Sequence, residues 1–105
     1  MRVTAWNNGS HHASGAGYGI KLSVADRDAN MDRGWKKITL EFEGSPRTTE
    51  VNIDKVSFWN ETCRELIDKE IGMWLKSNGL DQWPRGNPPK LRLEAISRGR
   101  FKLCR

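Results

Sequence analysis

The stretch DKVSFWNETCRELIDKEIGMWLKSNGL, residues 54–80, decides the predicted fold because it is the only long segment with helical spacing. At 3.6 residues per turn its large apolar side chains form one stripe, and its charged side chains lie opposite. Asp54 suits a helix N-cap, and Asn78, Gly79 and Leu80 suit a Schellman stop. The sequence therefore predicts one helix over residues 55–78. Its buried stripe would consist of Trp59, Cys63, Leu66, Ile67, Ile71 and Trp74.

Glu70 breaks this pattern because it projects into the apolar stripe of the predicted helix. A carboxylate in that position needs a partner, or its pKa shifts upward. A structural ion pair is the simpler interpretation, and a functional acid or base is the alternative.

Outside that stretch, apolar and polar residues alternate, which is typical of half-buried strands. The pattern predicts strands over residues 1–6, 18–24, 35–43, 47–53, 90–96 and 100–104, with hairpin turns at residues 44–46 and 97–99. The predicted order is β-β-β-β-α-β-β. We therefore expect an α+β fold with two layers, in which one long helix covers a mostly antiparallel sheet of five to six strands.

The composition indicates a single α+β domain over residues 1–105, with 36% hydrophobic and 30% charged residues. No apolar run is long enough for a membrane span, and the first residues lack a signal-peptide core, so we expect a cytoplasmic protein without a membrane partner. Two cysteines and two adjacent histidines match no zinc spacing. The sequence predicts no disulfide, metal or cofactor.

The net charge of +5 is concentrated near the end of the chain. Residues 84–105 contain seven basic residues and one acidic residue, a net charge of +6, whereas residues 1–83 contain eleven basic and twelve acidic residues, a net charge of −1. Such asymmetry indicates an anionic partner. The candidate ligand-binding residues here are Trp83, Arg85, Arg92, Arg98, Arg100 and Lys102, with Trp6 as a further stacking platform.

The loop over residues 7–19 is the second candidate surface. It is rich in glycine, and the backbone N–H groups of Gly15 and Gly17, together with Ser10, could surround an anion. No helix follows the loop, and its glycine spacing differs from dinucleotide-binding and P-loop motifs. A plain connection between strands is the alternative.

His11 and His12 lie in the same loop and, with Glu70, are the candidate acid–base groups. The leading hypothesis is a non-enzymatic binding module for an anionic ligand, with nucleic acid or another phosphate-bearing ligand as the partner. The alternatives are a small enzyme that uses His11, His12 and Glu70, and a domain that binds a protein partner or a second copy of itself.

Overall fold

Seven β-strands form one mixed sheet in the computed structural model, which describes residues 1–105 without a gap. The strands are β1 Arg2–Asn7, β2 Tyr18–Lys21, β3 Lys37–Phe42, β4 Thr48–Asn52, β5 Glu65–Ile67, β6 Lys90–Ser97 and β7 Arg100–Cys104. Their order across the sheet is β4-β3-β7-β6-β1-β2-β5, and every neighbouring pair is antiparallel except β3 and β7. The sheet curls until it is nearly barrel-shaped.

The prediction of a two-layer fold with one long helix over residues 55–78 is wrong. Three short helices are present instead: α1 Val24–Asn30, α2 Val56–Trp59 and α3 Lys69–Ser77. Together they hold about 19% of the residues, and β5 lies between α2 and α3. The sheet also has seven strands rather than five or six. None of the helices is long and apolar enough to cross a membrane.

Two polar residues interrupt the predicted helix. The Asn60 side chain accepts hydrogen bonds from the backbone N–H groups of Thr62 and Cys63, at 3.0 and 2.7 Å, which ends the helical path. Arg64 then adopts a left-handed conformation, with φ 62°. Asp68 caps α3 by accepting from Glu70 N at 2.9 Å. The three residues between these stops pair with β2, and this pairing satisfies backbone groups that would otherwise lie at a sheet edge.

The prediction that the alternating segments supply the hydrophobic core is confirmed. Both predicted hairpins, β3–β4 and β6–β7, are present. Most of the apolar residues that alternation placed inward are buried, namely Ile20, Leu22, Ile38, Leu40, Phe42, Val51, Leu91, Leu93 and Phe101. Two are not: Ala95 is exposed beside the bulge in β6, and Val24 is half-buried at the start of α1. From the predicted helical stripe, Leu66, Ile71 and Trp74 are buried, but Ile67 is 39% exposed because it lies on the outer face of β5. Cys63 and Cys104 are both free, and Cys104 is buried.

The two edge strands of the sheet, β4 and β5, meet at a seam that side chains close. Thr49 on β4 donates to Asp68 Oδ2 at 3.1 Å, just after β5. Arg47, which precedes β4, bonds to both carboxylate oxygens of Glu70. No backbone hydrogen bond joins β4 to β5. The seam, defined by Arg47, Thr49, Asp68 and Glu70, therefore closes the curled sheet without a strand ladder.

The loop over residues 8–17 packs tightly onto α3 through two glycines. A Cβ on Gly72, in the middle of α3, would overlap the carbonyl oxygen and Cα of Gly15. Likewise, a Cβ on Gly15 would overlap the carbonyl oxygen of Lys69, and Gly15 has a left-handed φ of 86°. Glycine at both positions lets the two backbones touch.

Gly72→Ala tests this contact because the close packing and the helix propensity of alanine predict opposite changes in the stability of the protein. In an exposed helix the change would stabilise the protein by up to about 1 kcal/mol. Here the added methyl group has no space, so we expect a destabilisation of about 1–3 kcal/mol, measured by urea unfolding. Ser77→Ala, at an exposed position of the same helix, is the control and should be near neutral. A more stable Gly72→Ala variant would contradict the close packing.

Candidate functional site

The basic residues of the β6–β7 hairpin are largely neutralised by nearby acids. Arg92 bonds to Glu94 at 2.8 Å, and Arg98 lies 3.7 Å from Asp32. Arg100 bonds to Glu41 on β3. Lys102 stands opposite Glu94 on one side and Glu41 on the other in the strand register. The hairpin predicted as the anion surface therefore carries alternating charges.

A different group of cations lies along the outer face of β1. Arg2 is directly opposite Arg92 on β6, and Thr4 is flanked by Lys90 on β6 and Lys21 on β2. Opposed residues on neighbouring strands lie about 5 Å apart on one face. We call the set Arg2, Lys21, Lys90 and Arg92 the basic stripe. Apart from Arg92, its members make no ion pair, although Glu65 stands opposite Lys21.

An open cleft of about 420 Å³ lies where β1 ends, beyond the stripe. Three aromatic rings line it, together with one arginine and one asparagine. We call it the aromatic cleft and define it by Trp6, Asn7, His11, Trp83 and Arg85. Its volume is within the range of ligand pockets in proteins. Trp83 and Arg85 were predicted from the sequence as ligand-binding residues, and His11 was predicted as a catalytic candidate.

The segment over residues 81–89 forms one wall of the cleft and is anchored at both ends. At its start, the Tyr18 hydroxyl donates to Asp81 O at 2.8 Å, and Lys76 lies 3.3 Å from the Asp81 carboxylate. At its end, Ala5 N donates to Pro89 O at 2.9 Å. These contacts hold Trp83 near β1 and β2, where it packs against the core.

A turn within that segment places Arg85 at the cleft. Asn87 N donates to Pro84 O at 2.9 Å, so residues 84–87 form a β-turn. Gly86 has φ 79°, which the third position of a type II turn requires. Arg85 therefore occupies the second position of the turn, exposed beside Trp83.

His11 contacts the cleft wall through its ring. Its Nδ1 lies 2.9 Å from the Tyr18 hydroxyl, and its ring centroid is 6.0 Å from that of Trp83 in an edge-to-face arrangement. His11 has φ 49°, a conformation that non-glycine residues seldom adopt. Asn7 accepts from Gly9 N at 2.6 Å through Oδ1, while its buried Nδ2 has no hydrogen-bond partner.

Two of the N–H groups in the glycine loop are already bonded within the loop. Gly15 N donates to His12 O at 3.1 Å, and Ser10 N donates to the side chain of Asn8 at 3.0 Å. Gly17 accepts from Asn8 N at 2.9 Å, which closes the loop. His12 is exposed, and its side chain bonds to no protein group. Gly15 and Gly17 both have a left-handed φ, and Gly15 also packs against α3.

Glu70 forms the predicted ion pair and lines a different cleft from His11. Its two carboxylate oxygens accept from Arg47 at 2.9 and 2.7 Å, and its side chain is only 14% exposed. The hydrogen bonds from Arg47 lower the pKa of Glu70 below its ordinary value. Glu70 lines a cleft of about 410 Å³ between α3 and residues 44–47, whereas His11 lines the aromatic cleft. The structure therefore does not place Glu70 and His11 in one cleft.

Comparisons of the chain with protein-family models, with curated proteins and with solved structures found no match.

The Glu70 ion pair predicts a specific dependence of stability on pH. Because the folded pKa is lowered, the stabilisation is complete above the ordinary value of 4.5 and is lost as pH falls through the lowered pKa. Glu70→Gln should therefore be less stable than the parent protein at about pH 7, and this difference should shrink toward about pH 3. Urea unfolding at a series of pH values measures it.

Glu50→Gln is the control for that series. Glu50 pairs with Lys37 on the outer face, and both side chains are 60% exposed, so the change should have little effect at any pH. If the stability difference between Glu70→Gln and the parent protein stayed constant with pH, the Arg47–Glu70 pair would not be the cause.

Proposed function

We propose that this protein binds single-stranded nucleic acid across the outer face of β1. In this proposal the basic stripe contacts phosphates and the aromatic cleft accepts a base. The main support for this proposal is that strand β1 links the two features. Arg2 belongs to the basic stripe, Thr4 lies between Lys21 and Lys90, and Trp6 lines the aromatic cleft. The proposed function is the one inferred from the sequence, but the proposed binding surface lies around β1 rather than on the β6–β7 hairpin.

Electrostatics favours an anionic polymer on the stripe. Arg2, Lys21 and Lys90 make no ion pair, and Arg2 stands opposite Arg92, whose ion pair is with Glu94. An anion over the stripe would therefore reduce the repulsion among these cations. Residues two apart on one strand face are about 6.8 Å apart, so the stripe extends the positive charge away from the cleft. A polymer of phosphates can span both features, whereas one free phosphate occupies only part of the stripe.

The cleft favours a single strand over a duplex. Proteins that bind single strands combine a basic groove with aromatic side chains on which bases stack. Trp6 and Trp83 offer such surfaces, and Arg85 adds a cation beside them. A base inside a duplex is stacked and paired, so it would have to be extruded at a cost of a few kcal/mol before entering the cleft.

The stripe predicts how binding depends on salt. For single strands, the slope of log K against log salt is about −0.7 per neutralised phosphate. Replacing Arg2, Lys21 and Lys90, the three members of the stripe without an ion pair, together by alanine should flatten this slope by about two units. Fluorescence anisotropy of a labelled single-stranded oligonucleotide, titrated at several salt concentrations, measures the slope.

The matched control replaces Arg98, Arg100 and Lys102 by alanine, which removes the same formal charge from the hairpin. Because Arg98 and Arg100 are paired with Asp32 and Glu41, and Lys102 is flanked by acids, this slope should stay near that of the parent protein. If both triple variants flattened the salt slope equally, binding would depend on net charge alone, which would contradict binding at the basic stripe. Absence of binding at low salt would overturn the proposal.

Removing an aromatic ring from the cleft should lower the affinity without changing its dependence on salt. Base–aromatic stacking contributes about 1–3 kcal/mol per base, so Trp6→Ala should raise the Kd by roughly 5- to 150-fold. The slope with salt should remain, because Trp6 carries no charge. Trp6→Phe keeps an aromatic face and should recover much of the affinity. If Trp6→Ala bound as tightly as the parent protein, the cleft would have no role in binding.

A further inference from the structure

The Tyr18 hydroxyl fixes which nitrogen of His11 carries the proton when the ring is neutral. Tyr18 is fully buried, and its hydroxyl has one proton. A carbonyl oxygen can only accept, so that proton lies in the bond to Asp81 O at 2.8 Å. The hydroxyl oxygen therefore accepts from His11 Nδ1, which lies 2.9 Å away. The proton of neutral His11 is on Nδ1, and Nε2 is the nitrogen at which the ring can gain a second proton.

Protonation of His11 adds a charge without changing this arrangement. Nδ1 donates to the Tyr18 hydroxyl both in the neutral ring and in the cation, so no bond to the cleft wall has to break. His11 is exposed, and its Nε2 has no hydrogen-bond partner in the protein. Because histidine changes its charge between about pH 5 and 8, the aromatic cleft can gain one positive charge in that range while keeping its shape.

The charged groups around His11 leave this added charge without a counterion. No carboxylate lines the aromatic cleft, and the other charged side chain in its lining is that of Arg85. Behind the cleft wall, Lys76 on α3 pairs with the Asp81 carboxylate at 3.3 Å. On the loop itself, the neighbouring titratable group is His12, which is exposed. The anion that would balance protonated His11 therefore has to come from a ligand.

We propose that protonated His11 is a phosphate contact in the aromatic cleft, so that a single strand binds more tightly in weakly acidic than in weakly alkaline solution. This inference rests on the proposed function and adds a dependence on pH to it. The lysines and arginines of the basic stripe keep their charge throughout this range, so the dependence comes from the cleft. Tyr18 is a positioning residue, since it acts only by holding the His11 ring.

The affinity for labelled oligothymidylate at two pH values tests the phosphate contact. Its bases and phosphodiesters gain no proton in this range, so an effect of pH comes from the protein. An exposed ion pair should make binding about two- to fivefold tighter at about pH 5.5 than at about pH 8. One more neutralised phosphate should also steepen the slope of log K against log salt by about 0.7. Fluorescence anisotropy measures both quantities.

His11→Asn is the variant that removes the charge alone. The amide nitrogen of asparagine occupies the position of Nδ1 and can donate to Tyr18, and asparagine tolerates the left-handed φ of 49° at this position. Because asparagine cannot be protonated, this variant should lose the gain in affinity and in salt slope at the lower pH. His12→Asn is the matched control and should keep both. The Met1 amino group can also titrate in this range, but all three proteins share it.

Long-range proton–nitrogen NMR of the parent protein tests the arrangement without a substitution. At about pH 8, His11 should carry its proton on Nδ1, and its Nε2 should show the signal of an unprotonated nitrogen. His12 is the internal control, because no protein group holds its ring, and it should show a mixture of tautomers. A proton on His11 Nε2 at that pH would overturn the inference.

The outcomes separate this inference from the proposed function. If the parent protein binds equally well at both pH values, or if His11→Asn keeps the dependence on pH, the phosphate contact of His11 is overturned. Binding that still shows the salt slope of the basic stripe would then leave the proposed function in place. If no oligonucleotide binds at low salt at either pH, both are overturned. A dependence that His11→Asn loses and His12→Asn keeps supports the inference.

Discussion

The parallel pairing of β3 with β7 is the constraint on which the rest of the structure depends. Without it, the β3–β4 hairpin would be separate from the five strands β7-β6-β1-β2-β5. The pairing also brings Glu41 beside Arg100 and Lys102, so the β6–β7 hairpin loses its excess of positive charge. The cations without an ion pair, Arg2, Lys21 and Lys90, lie on β1 and on the two strands beside it.

Tyr18 connects the fold to the aromatic cleft. Its ring is fully buried in the core, and Lys76 of α3 lies 5.0 Å from the ring centroid. Its hydroxyl holds both Asp81 and His11, which belong to the two segments that line the cleft. The position of the cleft therefore depends on a core residue as much as on its own surface residues. A buried hydroxyl with both partners satisfied favours one arrangement of those segments.

Sequence patterns predicted the core better than the connections. Alternation identified the buried residues of β3, β4, β6 and β7 because a strand with one covered face has a period of two. The helical stripe over residues 54–80 was misleading because the spacing of its apolar residues also suits two short helices and a three-residue strand. Asn60 and Asp68 were the local signals of those breaks, since both residue types readily bond to nearby backbone N–H groups.

The candidate site was predicted only in part because its residues come from distant parts of the chain. Arg92, Trp83 and Arg85 were found from the charge and composition of one segment. Arg2 and Lys21 join the stripe only through the register of β1 with β6 and β2. Glu70 was recognised as needing a partner, but its partner lies 23 residues away across the seam, where no local spacing points to it.

The seam gives the curled sheet an uneven mechanical character. Parting any other two neighbouring strands breaks backbone hydrogen bonds, whereas parting β4 from β5 breaks the Thr49–Asp68 bond and the Arg47–Glu70 pair, together with the packing behind them. The sheet is therefore stiff across six boundaries and compliant along one line. A pulling force or a thermal fluctuation that opens the curled sheet will open it there first, and the pairings of β1 with β6 and β2 stay closed.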